Sequence, residues 1–245
     1  MHAGEVLLRL RAVRKDYGAL RPLRVEAFEL REAETVGVVG LDSAAAEALV
    51  NLITAATLPD EGQIDIFGAP TVEIADADTW LRSLDRFGLV SERVALVNEL
   101  SIEQNLALPL SLDVADMAPD LRGRVQQLAA EVGMTSADAE RPLSAATADL
   151  RQRIRLAKAL ALDPKILLAE HPNAAVPRQA AGRLASDMAA IAARRRIAML
   201  VLTADTAFAR AACARVMTWQ PSTGSVTLLP WWRRSSRRPG SAAQP

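Results

Sequence analysis

The sequence predicts an α/β fold: a mostly parallel sheet, an antiparallel β-subdomain at the N-terminal side and a helical subdomain inserted mid-chain. Three observations point there. Thr35–Gly40 (TVGVVG), Lys165–Ala169 (KILLA) and Ile197–Thr203 (IAMLVLT) are short apolar runs without alternation, the pattern of strands buried on both faces. Each is followed by a segment with helical spacing, and buried strands alternating with helices imply a parallel sheet covered on both sides. Ahead of them, Glu5–Ala12 and Leu23–Leu30 alternate apolar and polar residues, as half-buried antiparallel strands do.

The elements follow in order. Ala44–Thr54 places Leu49, Leu52 and Ile53 on one helical face directly after the first buried run, so strand, turn and helix open a βαβ unit. Pro59–Gly62 is a turn, and Gln63–Phe67 alternates again. The stretch from about Thr79 to Arg151 reads as mainly helical, with helices at Asp78–Arg86, Ser101–Leu108 and Leu121–Val132 punctuated by Pro109, Pro119 and Pro142. A long helix over Asp149–Ala161 stops at Asp163-Pro164. Helices at Gln179–Arg194 and Ala207–Ala214 flank the third buried run. Met217–Trp219 and Ser225–Leu229 close the fold around Gly224. The segment 1–230 thus reads as one domain with an insertion at about 79–151, and 231–245 (WWRRSSRRPGSAAQP) as a basic, disordered tail.

Composition bounds the function. A chain of 245 residues that is 50% apolar and 4% aromatic suits helices packed on a sheet. Formal net charge is zero, so the electrostatic footprint of a nucleic-acid binder is missing. The single cysteine, Cys213, excludes an internal disulfide framework and reads as a small core residue. The charged N-terminal residues do not form a secretory signal, and no run approaches the ~20 apolar residues of a membrane span. The expectation is a soluble chain whose membrane role, if any, comes through a partner. Arg194–Arg196 reads as a solvated helix end complementing the dipole.

The order and spacing of these pieces resemble the ATP-binding cassette of ABC transporters over roughly Val6–Leu229, a P-loop NTPase-like fold. Tyr17 in KDYG sits where that family stacks an aromatic on adenine. Val36–Ile53 (VGVVGLDSAAAEALVNLI) occupies the place of the phosphate-binding loop, and Leu58–Gly68 resembles the stretch after it. Leu89–Pro109 resembles the glutamine-loop region. The most specific match is Gln152–Ala169 (QRIRLAKALALDPKILLA), which resembles the helix after the family's signature motif and the strand carrying its Mg²⁺-binding carboxylate. The resemblance implies ATP and Mg²⁺ as cofactors.

The family's chemistry is then found changed residue by residue. A phosphate loop of the form G-x-x-x-x-G-K-[ST] needs glycines for amide approach, a lysine for the β/γ-phosphates and a hydroxyl for Mg²⁺. Here Gly40 remains, Ser43 stands at a further loop position, Ala45 replaces the second glycine, Ala46 the lysine and Glu47 the hydroxyl, with Ala48 following. Asp42 and Ser43 can cap the helix, and Glu47 falls in its expected first turn, so the chain's own carboxylates oppose an incoming phosphate. The Mg²⁺-holding glutamine aligns with Glu92, a cation ligand or a solvated loop acid. The L-S-G-G-Q signature aligns with Ala146–Leu150, where Thr147 keeps a hydroxyl, and Thr147 or Asp149 caps the following helix. The Mg²⁺-ligating aspartate aligns with Glu170. The general base aligns with His171, a base by type or a partly solvated loop imidazole. The subunit-contact aspartate aligns with Pro177 and the γ-phosphate-sensing histidine with Ala204.

Phosphoryl transfer depends almost wholly on positioning and charge stabilisation, and the positioning groups are replaced. The resemblance therefore implies a pseudo-ATPase subunit on the cytoplasmic face of the inner membrane. It would dock on a transmembrane permease as a homodimer or as a heterodimer with an active cassette, without nucleic acid. Two alternatives stay open: a weak ATPase using Glu170 and His171, and a non-transport regulatory protein on the same scaffold. The Asn105–Pro109 segment (NLALP) resembles cassettes that export lipids, lipoproteins or drugs.

Overall fold

The computed structural model describes residues 4–74 and 76–229. Two sheets form its frame. Strands β1 (Val6–Lys15), β2 (Leu23–Arg31), β4 (Glu61–Ile66) and β5 (Ala69–Pro70) make an antiparallel sheet in the order β2-β1-β4-β5. Its register is set by alternation: Leu8 and Leu10 pair with Leu30 and Phe28 on one side and with Ile66 and Ile64 on the other, all on the buried face. The opposite face carries cross-strand ion pairs, Arg9 to Glu29 at 2.8 Å and Arg11 to Asp65 at 2.7 Å.

The second sheet has six strands in the order β10-β9-β3-β8-β7-β6, with β3 (Thr35–Val39), β6 (Phe87–Val90), β7 (Ile166–Glu170), β8 (Ala198–Thr203) and β9 (Arg215–Trp219). Neighbours among these five pair in parallel, and β10 (Val226–Leu228) runs antiparallel at the edge. The three unalternating runs thus lie side by side as β3, β8 and β7, as their composition predicts. Every residue of β7 and β8 is buried. Helix α1 (Ser43–Ile53) fills the space between the two sheets through Leu49, Leu52 and Ile53. The other face of the parallel sheet is covered by α6 (Ala148–Leu160), α7 (Arg178–Arg195) and α8 (Thr206–Ala212), with α3 (Ile102–Ala107) and α4 (Pro119–Glu131) continuing that core outward. Helix α2 (Ala77–Leu84) buries none of its residues, and α5 (Ser136–Ala139) is a single capped turn.

Two expectations change. The stretch read as mainly helical from 79 to 151 contains β6, the edge strand of the parallel sheet. Gly88 permits that strand to lie against α6: a Cβ there would come within 2.3 Å of the Ala159 carbonyl oxygen. The end of α7 is also not simply solvated. Arg194 donates to Glu131 at 2.7 Å, and Arg195 pairs with Glu131 and with Asp163, tying α7 to α4. The basic tail lies outside the described residues.

Candidate functional site

The carboxyl ends of β3, β6 and β7 open on one side of the parallel sheet, the side on which such sheets hold ligands. From β3 the chain passes through Gly40 into α1, from β7 it ends on Glu170, and from β6 it enters a strap, Ser91–Val97, that leads to α3.

Gly40 has φ +107°, and a Cβ there would stand 2.9 Å from the Trp219 carbonyl oxygen. Its backbone conformation and its contact with β9 require a glycine whether or not a phosphate ever approaches. The helix then starts early. Asp42 is its N-cap: its Oδ1 accepts from the Ala45 amide at 2.8 Å, and its carbonyl accepts from the Ala46 amide at 2.9 Å. Ala45 and Ala46 are 1% and 0% exposed, so the positions of the loop glycine and lysine have become inward-facing helix residues. With the helix starting at Ser43, Glu47 lies beyond the first turn, a correction to the sequence expectation, and the dipole end is answered by Asp42 alone. Glu47 is half exposed and Ala48 is buried.

Beside α1 runs a groove of about 410 Å³ lined by Lys15, Asp16, Tyr17, Ala44, Glu47, Ala48, Asn51 and Thr57. Tyr17 is half buried on its wall, and burial, then the Asp42 carboxylate, push its phenol above the ordinary value. The structure brings Tyr17, Ala48 and Glu47 together here. Yet two amides of this helix start, those of Ala45 and Ala46, are committed to Asp42, and a carboxylate about 4 Å from a phosphate adds up to about 4 kcal/mol of repulsion at an effective dielectric near 20. Exposure of Glu47 reduces that figure without changing its sign.

The metal position fares likewise. Glu170 ends β7 with its side chain 8% exposed, and its Oε2 accepts from Arg93 Nε at 3.0 Å and from Arg93 Nη2 at 2.7 Å. The same guanidinium reaches Glu47 Oε1 and Asn51 Oδ1, each at 3.4 Å, through Nη1. Glu92, one residue earlier, is exposed and makes no hydrogen bond or ion pair with Glu170. Among the described residues no group of three or more His, Cys, Asp or Glu is placed to hold a metal ion. The residues present do not fit Mg²⁺ as they stand, because a guanidinium already satisfies the carboxylate that would bind it.

His171 follows with φ +42°, a left-handed backbone that costs on the order of 1–3 kcal/mol. Its amide donates to the Leu202 carbonyl at 2.8 Å, extending the β7–β8 pairing. The residue is half-buried, and its Nε2 is enclosed without a hydrogen-bond partner. Thr147 is the N-cap of α6, its Oγ1 accepting from the Leu150 amide at 3.3 Å. Asp149 instead pairs with Arg153 at 3.2 Å. Pro177 and Ala204 are exposed and offer no side-chain hydrogen-bonding group. Arg93 is the site residue that sequence reasoning missed. Its only sequence signal is a cation next to the glutamine-loop position, and its partner Glu170 is 77 residues away.

The fold is that of an ABC-transporter cassette: residues 23–174 match the ABC transporter family, and the chain belongs to it. Among curated relatives, the lipoprotein-releasing system ATP-binding protein of Chromohalobacter salexigens is 27% identical over 209 residues, covering 84% of this chain and 87% of that one. The phosphonates import ATP-binding protein of Anaeromyxobacter dehalogenans is 32% identical over 197 residues, 76% of this chain but only 38% of that protein. A solved dimeric bacterial ABC transporter cassette superposes with a TM-score of 0.74 at 21% identity, over 89% of this chain and 96% of that one. A cassette from Clostridium perfringens, part of an ABC transporter complex, superposes with 0.77 at 16% identity, covering 91% and 88%.

Proposed function

We propose that this chain is a catalytically degenerate cassette of an ABC transporter, docking on a transmembrane permease at the cytoplasmic face of the membrane. One observation carries the reading. The segment that should be an open phosphate loop is the first turn of α1, capped by Asp42, with the Ala45 and Ala46 amides used inside the chain. Glu170 and His171 keep their places, but one is held by a guanidinium and the other points an enclosed nitrogen at nothing. ATP would then meet only an aromatic platform at Tyr17, worth about 1–3 kcal/mol of stacking, which alone gives binding weaker than millimolar. In a heterodimer with an active cassette, the partner supplies hydrolysis and this chain supplies structure. No helix among the described residues is long and apolar enough to cross a membrane.

The test is ATP turnover and calorimetric ATP binding by the purified chain with Mg²⁺. The expected result is turnover at background and adenosine bound no more weakly than ATP. Turnover on the order of 0.1 per second, against ~1–10³ for ordinary enzymes, and lost in Glu170→Gln or His171→Ala, would instead identify a weak ATPase. Inactivity together with failure to co-purify with any permease would favour a regulatory scaffold.

A further inference from the structure

Three side chains converge on the crevice between β7 and α1, and one cation serves them all. Arg93 gives two hydrogen bonds to Glu170 Oε2, at 3.0 and 2.7 Å, and turns its remaining nitrogen to Glu47 and Asn51. Glu170 is nearly sealed from solvent, so its charge needs a local partner, and a planar guanidinium meets that need with directed donors. A divalent cation entering the same crevice would face the guanidinium at close range and find Oε2 already committed.

Arg93 is also the centre of a strap fixed at every turn. Its own amide donates to Ser91 Oγ at 3.1 Å. Arg155 Nε and Lys158 Nζ, both on α6, donate to the carbonyls of Val94 and Ala95 at 3.4 and 3.1 Å. At the far end the wholly buried Asn105 on α3 closes both backbone groups of Val97, accepting from its amide at 2.8 Å and donating to its carbonyl at 2.9 Å. Six side chains from three helices and the end of β7 hold a connection of seven residues.

We propose that Arg93 is a resident counter-cation. Its guanidinium takes the position between Glu170 and α1 that a divalent cation would need, and by anchoring Ser91–Val97 there it fixes α3 against the sheet without any ligand. The inference rests on reading this crevice as the degenerate counterpart of a metal–nucleotide site. Its test uses neither nucleotide nor hydrolysis, so the two can fail separately.

The experiment is a double-mutant cycle on the full chain with Arg93→Ala, Glu170→Gln and the pair, read by denaturant unfolding, with Mn²⁺ alone as the metal probe. Each single substitution should raise the unfolding equilibrium constant, and the pair should do so at least tenfold less than the product of the two. Amides of 91–97 should exchange at least tenfold faster in Arg93→Ala. Mn²⁺ should leave the unmodified protein unchanged and bind Arg93→Ala at least tenfold more tightly. A coupling within twofold of unity overturns the proposal, as does equal Mn²⁺ affinity in both proteins. Should Arg93→Ala not fold, the near-isosteric Glu170→Gln still decides. Mn²⁺ binding by the unmodified protein that this substitution abolishes would show that the guanidinium yields its place to a metal.

Discussion

Ala46 stands where a phosphate loop carries its lysine, yet its side chain is 0% exposed and packs in the core between the two sheets. In an open loop, Ala46→Lys would point an ammonium toward the ligand and cost the fold little. In the helix observed here, the same substitution forces three further methylenes and a charge into a filled space. Overpacking of that kind costs about 1–3 kcal/mol, and an unpaired buried ion adds several kcal/mol unless it reaches solvent or loses its proton. A net loss of about 3 kcal/mol is a conservative sum. At about 2–4 °C per kcal/mol for a domain of this size, the midpoint of thermal unfolding should fall by about 6–12 °C. Scanning calorimetry with and without ATP measures it. A midpoint within about 2 °C of the parent, raised further by ATP through binding linkage, would refute the reasoning, because it would mean that the segment can open as a phosphate loop. The same logic says how to restore phosphate preference. Lysine must come with Ser43→Gly, Ala45→Gly and Glu47→Ser, since glycines weaken the early helical turn by about 1 kcal/mol each and free its amides.

Asp42→Ala removes the acceptor of the Ala45 amide and should cost about 1 kcal/mol in denaturant unfolding, whereas Asp42→Asn should be nearly silent. Burial raises the Cys213 thiol from 9.0 to about 12, so it should resist thiol reagents at pH 8 until the chain unfolds. The sign for stability follows. Between pH 9 and 12 the unfolded chain releases the proton while the folded chain keeps it, so stability falls across that window, by about 1.4 kcal/mol per pH unit from this group. Unfolding of Cys213→Ala over the same range should lack that component.

Much of the frame was legible because strand composition follows burial. β3, β7 and β8 are unalternating apolar runs, and they are the strands buried on both faces. β6 was not legible. It is four residues long with a glycine inside, a weak signal in a helix-rich stretch, and its glycine answers to the Ala159 backbone on a distant helix. The site divides in the same way. Asp42 as cap and Thr147 as cap could be read locally, because a cap bonds an amide three residues on. The position of Glu47 missed because the helix starts one residue before the apolar pattern does. The role of Arg93 could not be read from its one local signal, since nothing near it in sequence states that a carboxylate 77 residues later will need a counter-charge.

Four of the residues that survive at this site have a reason to be there that does not involve a nucleotide. Gly40 is demanded by its φ of +107° and by the Trp219 carbonyl. Glu170 is tied to Arg93, and the His171 amide continues the sheet to Leu202. Thr147 starts a helix whose Ile154, Leu156 and Leu160 are fully buried. The positions whose usual residues serve only phosphate or water have other occupants: Ala46 now fills core, Glu47 opposes an anion, and Ala204 is an exposed methyl. A working ATPase would need the second set, while a docking subunit needs only the first. What packing requires is present and what only chemistry requires is not, which is the pattern that the proposed reading of this chain as a degenerate docking cassette expects.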